Sequence, residues 1–327
     1  MNVRFLLVAL ALTLTTLACG TESSAGSDAK KRQIAVIPKG TTHEFWKAIH
    51  AGAKTAGRDV DCDVIWKGPL REDDRNEQIK VVETFITRRV DGIVIAPLDD
   101  TALAPVLKQA DSKGIPVIVV DSDVNWNGRA SFIATDNYKG GVLGARKLAE
   151  LLGGKGKVIL MRYLEGSAST MKREAGFLET IESEFPGIEV VSSNQYAGST
   201  VEGAYSTSEN LLLNHGDVDG IFCPNESSAY GMLRALQAKG LAGKKKFVGF
   251  DPSEKLVQAL RDGEIDALVI QDPYAMGDQG VRVMMDHLEG KPIEGRIDTG
   301  VEVITRDNME QERMNRLLFP DLSILAE

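Results

Sequence analysis

Three polar residues occupy comparable places in this chain. Asp121 closes the apolar run Ile115-Pro116-Val117-Ile118-Val119-Val120, and Asp251 closes Phe247-Val248-Gly249-Phe250. Asn225 follows Asp219-Gly220-Ile221-Phe222-Cys223-Pro224. A short apolar run fits a strand buried on both faces of a parallel sheet. The residue just past its end lies where open α/β sheets bind ligands. Two carboxylates and one amide at such places supply hydrogen-bond acceptors and a donor, which is the chemistry of capturing a polar molecule. Covalent catalysis has no comparable signal. The sequence contains no GxSxG, HExxH or P-loop, and no GxGxxG after its first strand. Its four His fall at no motif spacing. Cys62 and Cys223 belong to no CxxC or Cys/His pattern, so neither a metal nor a cofactor is expected.

The elements that must position these residues come in two similar sets. Val90-Asp91-Gly92-Ile93-Val94-Ile95-Ala96-Pro97 is echoed by Val218-Asp219-Gly220-Ile221-Phe222-Cys223-Pro224. The echo continues at Asp121 and Asp251 with nearly the same offset. Patterning predicts strands at 33–38, 63–66, 92–96, 116–120 and 131–135, with helices at 44–56, 73–89 and 101–113 between them. A second set follows: helices at 138–152, 169–184, 201–214, 227–239, 254–262 and 273–288, and strands at 157–161, 188–192, 220–223, 247–250 and 266–271. Strand–helix alternation means right-handed βαβ units and parallel sheets. The expected fold is therefore α/β, with two similar doubly wound parallel-sheet lobes. The tail 306–327 has no clear pattern.

A length of 327 residues accommodates about two domains. The net charge of −9 argues against a nucleic-acid partner, which favours a basic face. Residues 1–18 read as a signal peptide: Arg4 is the charged start, and 5–17 is an apolar stretch too short to span a membrane. Thr16-Leu17-Ala18-Cys19 approximates a lipobox, which makes Cys19 the expected lipidated N-terminus. Residues 19–32 read as a flexible tether. Cys62 and Cys223 fall in different lobes and are expected to be buried thiols.

Eight phrases in order make the chain resemble the ribose/galactose-type periplasmic sugar-binding proteins, the substrate receptors of ABC importers. They are EFWKAIHAGA (44–53), DGIVIAPLD (91–99), IPVIVVDS (115–122), ATDNYKGG (134–141), REAGF (173–177), DGIFCPNESSAYGMLRAL (219–236), FVGFD (247–251) and ALVIQDPYAMG (267–277). The resemblance implies the type I periplasmic binding fold, its lobes joined by a three-strand hinge. Crossings then fall near 135–136, 271–272 and 296–299. The N-terminal lobe becomes 33–135 plus 272–296, the C-terminal lobe 136–271 plus 297–305, and 306–327 a tail.

The resemblance also implies a function. The expected protein is a monomeric, lipid-anchored receptor in the periplasm or on the outer cell surface. It closes on a monosaccharide or related polyol and delivers it to an ABC importer permease. A receptor signalling to a chemoreceptor or sensor kinase is an alternative output of the same fold. A doubly wound nucleotide-dependent enzyme is a remote one, since it needs a glycine-rich phosphate loop and the 38–44 loop has only Gly40. By the same resemblance the ligand contacts are His43, Phe45, Trp46, Asp121, Ser122, Arg173, Asn225, Asp251 and Gln271. Trp66 and Lys67, which end the second strand near the cleft mouth, and Met171 are secondary candidates. Ser122 and Met171 stand where ribose-binding members carry Arg. That removes two bidentate clamps and makes ribose itself a doubtful ligand, with Arg173 as a possible substitute.

Overall fold

The apolar runs become the central strands of two sheets. The structure, a computed structural model, describes residues 31–326. The expected leader (1–18), Cys19 and all of the expected tether except Lys31 and Arg32 lie outside the described residues. In the first lobe β1 (Gln33–Ile37), α1 (Glu44–Asp59), β2 (Asp63–Trp66), α2 (Arg75–Arg88), β3 (Gly92–Ile95), α3 (Ala104–Ser112), β4 (Val117–Val120) and β5 (Ser131–Ala134) alternate. The second lobe holds α4 (Asn137–Leu152), β6 (Gly156–Arg162), α5 (Ala168–Glu184), β7 (Ile188–Tyr196), α6 (Val201–Asn214), β8 (Gly220–Phe222), α7 (Glu226–Ala238), β9 (Lys246–Phe250), α8 (Glu254–Asp262) and β10 (Ala267–Ile270). Helix α9 (Pro273–Leu288) returns to the first lobe. Strand β11 (Arg296–Asp298), β12 (Glu302–Ile304), α10 (Glu312–Leu318) and a 3-10 turn (Ser323–Ala326) complete the chain.

The first sheet has the order β11-β5-β4-β3-β1-β2 and is parallel throughout. The second has the order β12-β10-β9-β8-β6-β7, with only β12 antiparallel. In each, the chain starts in the interior and reverses direction across the sheet. That reversal opens a crevice at the carboxyl ends of the strands. Because β11 pairs with β5, the first sheet runs on past the boundary expected at 296. The tail crosses between the lobes. Met309, Met314 and Leu318 join the second-lobe core, while the Ile324 carbonyl accepts from Lys54 Nζ on α1 at 2.6 Å.

Every strand residue of β3 and β4 is buried, because helices cover both faces. Alternate side chains go to opposite cores: Ile34, Val36 and Val94 pack with Met276 and Met284, while Ala35, Ile37, Ile93 and Ile95 pack with Phe85 and Leu107. Cys62 and Cys223 are both buried, in different lobes.

Each lobe places two helices in backbone contact, and glycines make this possible. A Cβ on Gly52 of α1 would lie 2.0 Å from the Tyr274 carbonyl of α9, and one on Gly277 would lie 2.0 Å from the Ile49 carbonyl. In the second lobe, a Cβ on Gly141 of α4 would lie 1.9 Å from the Arg173 carbonyl of α5. No rotamer change relieves a clash with backbone. Gly277→Ala is therefore expected to lower the unfolding free energy by about 1–3 kcal/mol, while Gly295→Ala, with open space around it, changes little. Urea unfolding of both variants checks this; equal stabilities overturn it.

Candidate functional site

One cavity opens where the strand ends of the two lobes face each other, with about 30 Å³ of free space between its walls, room for only a few waters. The first lobe lines it with Lys39, His43, Phe45, Trp46, Glu72 and Asp121. The second lines it with Tyr163, Ser169, Thr170, Arg173, Asn225, Glu226, Asp251 and Gln271. Buried Gln78 of α2 fixes the first-lobe strand ends. Its amide donates to the Pro38 and Ala96 carbonyls at 2.9 and 2.8 Å and accepts from the Leu98 N–H at 2.8 Å.

Asp121 and Asp251 repeat each other in backbone as well as in type. Their φ values are 59° and 66°, a left-handed conformation that non-glycine residues seldom adopt and that Asp, like Asn, tolerates better than most. Each N–H donates to the neighbouring strand: Asp121 to the Ile133 carbonyl at 3.1 Å, Asp251 to the Val269 carbonyl at 2.9 Å. Lys39 Nζ lies 3.0 Å from Asp121 Oδ2. Arg173 is 2% exposed. Its Nη1 is 3.6 Å from Asp251 Oδ2, and its Nη2 is 3.9 Å from Asp121 Oδ1 across the cleft. Its orientation is fixed by donation to Asn137 Oδ1 at 2.8 Å and to the Pro224 carbonyl at 2.9 Å, with the guanidinium 3.9 Å above the Phe250 ring. Gln271 Nε2 donates to Asp251 Oδ1 at 2.7 Å, while its Oε1 is buried without a partner.

A second cluster gathers on Glu72. Its Oε1 accepts from the Trp46 indole at 2.7 Å and contacts His43 Nδ1 at 2.5 Å. Its Oε2 accepts from the Tyr163 hydroxyl of the second lobe at 2.9 Å. Phe45 meets Trp46 edge to face, with centroids 4.9 Å apart.

The cavity thus brings together His43, Phe45, Trp46, Asp121, Arg173, Asn225, Asp251 and Gln271 from the expected set. Asn225 also caps α7, its Oδ1 accepting from Ser228, so its Nδ2 is the better placed group for a guest. Four expected residues lie off the lining. Ser122 is buried behind it and accepts from the Ser169 N–H. Trp66 stacks on His50, with centroids 4.4 Å apart. Lys67 is exposed and Met171 half-buried, both away from the cavity. Lys39, Glu72, Tyr163, Ser169, Thr170 and Glu226 line it without having been singled out. Lys39 and Glu72 carry one usable signal, since each lies in the loop that follows a first-lobe strand. Among the described residues no His, Cys, Asp or Glu cluster is arranged to hold a metal ion.

Two doubly wound lobes sharing one cavity at their strand ends define a solute-binding protein of the type I periplasmic fold. The chain belongs to the periplasmic binding protein domain family, which matches residues 34–292. It is 29% identical to the D-ribose/D-allose-binding protein of Pseudomonas aeruginosa, over 92% of this chain and 98% of that one. A carbohydrate transporter solute-binding protein from Agrobacterium radiobacter, solved with D-arabinose, matches at TM-score 0.86 and 30% identity, covering 89% of this chain and 99% of that one. An ABC transporter solute-binding protein from Agrobacterium vitis, solved with D-fucose, matches at TM-score 0.85 and 34% identity, covering 88% and 100%.

The site holds its charges against strong opposing effects. Burial pushes the His43 imidazole down, but the Glu72 carboxylate reverses this and raises it to about 9. Burial also opposes the Glu72 charge, yet His43 and Lys39 hold its carboxyl down to about 2. Burial raises Asp251 to about 6 against Arg173 and Gln271, and raises Glu226 to about 7. The His43 contribution to stability is complete below its unfolded value of about 6.5 and is lost as pH rises through 9. Asp251 has largely completed its titration by about pH 7, whereas Glu226 titrates through neutral pH and adds to the weakening up to about pH 8. Urea unfolding of the wild type is therefore expected to weaken between pH 7 and 9, with about 1–3 kcal/mol of the drop due to His43. His43→Gln should shrink the drop by that amount, and an undiminished drop in the variant refutes the assignment.

Proposed function

We propose that this chain is an extracytoplasmic receptor that closes its lobes on a monosaccharide or related polyol and delivers it to the permease of an ABC importer. The observation that carries this reading is the convergence of Asp121, Asn225, Asp251 and Gln271 from both lobes on one cavity, with Gln271 Oε1 still lacking a donor. A buried unpaired acceptor costs about 1–3 kcal/mol, and a guest hydroxyl would satisfy it. Asp121, Asp251, Asn225 and Gln271 would bind ring hydroxyls, and Lys39 and Arg173 would donate to ring or hydroxyl oxygens. Phe45 and Trp46 would cover an apolar face of the ring. The buried cations Lys39, Arg173 and His43 already face Asp121, Asp251 and Glu72. Glu226 adds a fourth carboxyl group to the lining against these three cations, which disfavours an anionic ligand such as a sugar acid or sugar phosphate. The D-allose, D-arabinose and D-fucose associated with the relatives are the natural first candidates, and D-ribose is the least favoured of the four sugars because Ser122 and Met171 replace two arginines. We also assign the chain to the outer side of a membrane as a monomer, anchored through a lipid on Cys19.

Isothermal titration against these four sugars and xylitol is expected to find at least one binder. Asp251→Ala should weaken that binding about 10- to 100-fold through loss of charge-assisted hydrogen bonds. A panel without a binder, or an Asp251→Ala variant of undiminished affinity, overturns the reading.

A further inference from the structure

The first backbone N–H groups of a helix need acceptors from outside its own ladder. Most long helices here supply one. Asp74, Asp136, Thr200, Asn225, Ser253 and Asp272 each cap their own helix, α2, α4, α6, α7, α8 and α9. Helices α1, α3, α5 and α10 do not, since none of His43, Leu103, Ser167 and Gln311 makes a side-chain cap bond. Of these, α1 and α5 begin at the cavity, and both are served from the opposite lobe. Glu226, the first residue of α7, accepts from the Phe45 N–H through Oε2 at 3.2 Å and from the Glu44 N–H through Oε1 at 3.4 Å. Ser122 of the first lobe accepts through Oγ from the Ser169 N–H of α5 at 3.0 Å. Around these bonds Lys39 donates to Ser167 Oγ and Ser169 Oγ at 3.3 and 3.0 Å. In the return direction, Glu44 Oε2 accepts from the Glu254 N–H at the start of α8 at 3.3 Å.

From this pattern we infer that α1 and α5 are capped in trans, and that Glu226 and Ser122 are positioning residues which hold the lobes shut. The inference rests on the lobe-closure reading above. When the lobes part, these N–H groups turn to water. When they meet, water is replaced by a carboxylate and a hydroxyl in a largely buried setting, where a negative group at a helix N-terminus binds well. The helix start that carries Phe45 and Trp46 is thus completed only when the second lobe arrives. The same arrangement accounts for Ser122, which is fully buried yet lies off the cavity lining.

The test uses Glu226→Ala, Ser122→Ala and Glu226→Gln, the last keeping a side-chain acceptor. Stopped-flow fluorescence of cavity-lining Trp46, with D-ribose, D-allose, D-arabinose and D-fucose as probes, separates the rates. For any sugar that binds, each Ala variant should dissociate about five- to tenfold faster, with association within about twofold of wild type. Glu226→Gln should fall between wild type and Glu226→Ala. Unchanged dissociation rates overturn the inference.

A second arm needs no sugar. Ser199 Oγ and Asp73 Oδ2 meet across the rim at 2.8 Å, so a short bis-thiol cross-link between Asp73→Cys and Ser199→Cys locks the lobes together. In the locked protein, Glu226→Ala should speed amide exchange at Phe45, and Ser122→Ala should speed it at Ser169, several-fold and each without affecting the other. Without the cross-link or sugar, exchange at both amides should be fast in every variant. Equal exchange at Phe45 in locked wild type and locked Glu226→Ala overturns the clasp, whichever sugar binds. If no probe sugar binds, the ligand assignment fails, while the locked protein still decides the clasp.

Discussion

Burying charge between two lobes constrains this molecule more than any other interaction. An ion removed from water costs several kcal/mol unless a partner and further hydrogen bonds compensate it. Each lobe meets that demand with one cation beside one anion at its strand ends: Lys39 with Asp121 in the first, Arg173 with Asp251 in the second. The two pairs face each other, and the 3.9 Å approach of Arg173 to Asp121 links them. His43 and Glu72 add a third pair on the first-lobe side. The interior is therefore nearly balanced before a guest enters. What it still offers is directional hydrogen bonding, which suits a molecule with many hydroxyls and no charge.

The duplication extends below the level of fold. Both strand-end aspartates take the same left-handed backbone and make the same bond to the next strand. Both lobes bring a helix pair into backbone contact through glycine. In the second lobe that contact sets where Arg173 can reach, because its own carbonyl lies against Gly141. Removing space at a helix crossing would therefore displace a cavity side chain without touching the cavity.

Much of this was legible in the sequence, for physical reasons. Buried parallel strands must be nearly all apolar, so 92–96 and 116–120 are unmistakable, and the polar residue after such a run is conspicuous. Helices 254–262 and 273–288 match their observed bounds because Ser253 and Asp272 cap them and Gly263 and Gly290 follow them. Patterning alone does not mark β11 and β12, because they are short and mostly exposed or half-buried; only the resemblance set a hinge crossing at 296–299. Lys39, Glu72 and Glu226 carry no periodicity, and an ionisable residue in a loop or at a helix start usually faces water. Only the meeting of two lobes buries them. Ser122 was expected at the ligand for its place beside Asp121. Its hydroxyl instead turns to the N-terminus of α5, a distinction set by side-chain direction that no spacing encodes.

The C-terminal segment has a mechanical consequence. Three strand-level crossings form the hinge, but the chain crosses once more. Helix α10 is embedded in the second-lobe core through Met314 and Leu318, and the 3-10 turn beyond it is fastened to α1 by Lys54. The linking stretch 319–322 is only a few residues long and lies beside Pro252 and Pro273. It acts as a check-strap on a door: a swing wide enough to carry α1 away from the second lobe must first draw this strap taut or tear its last turn free.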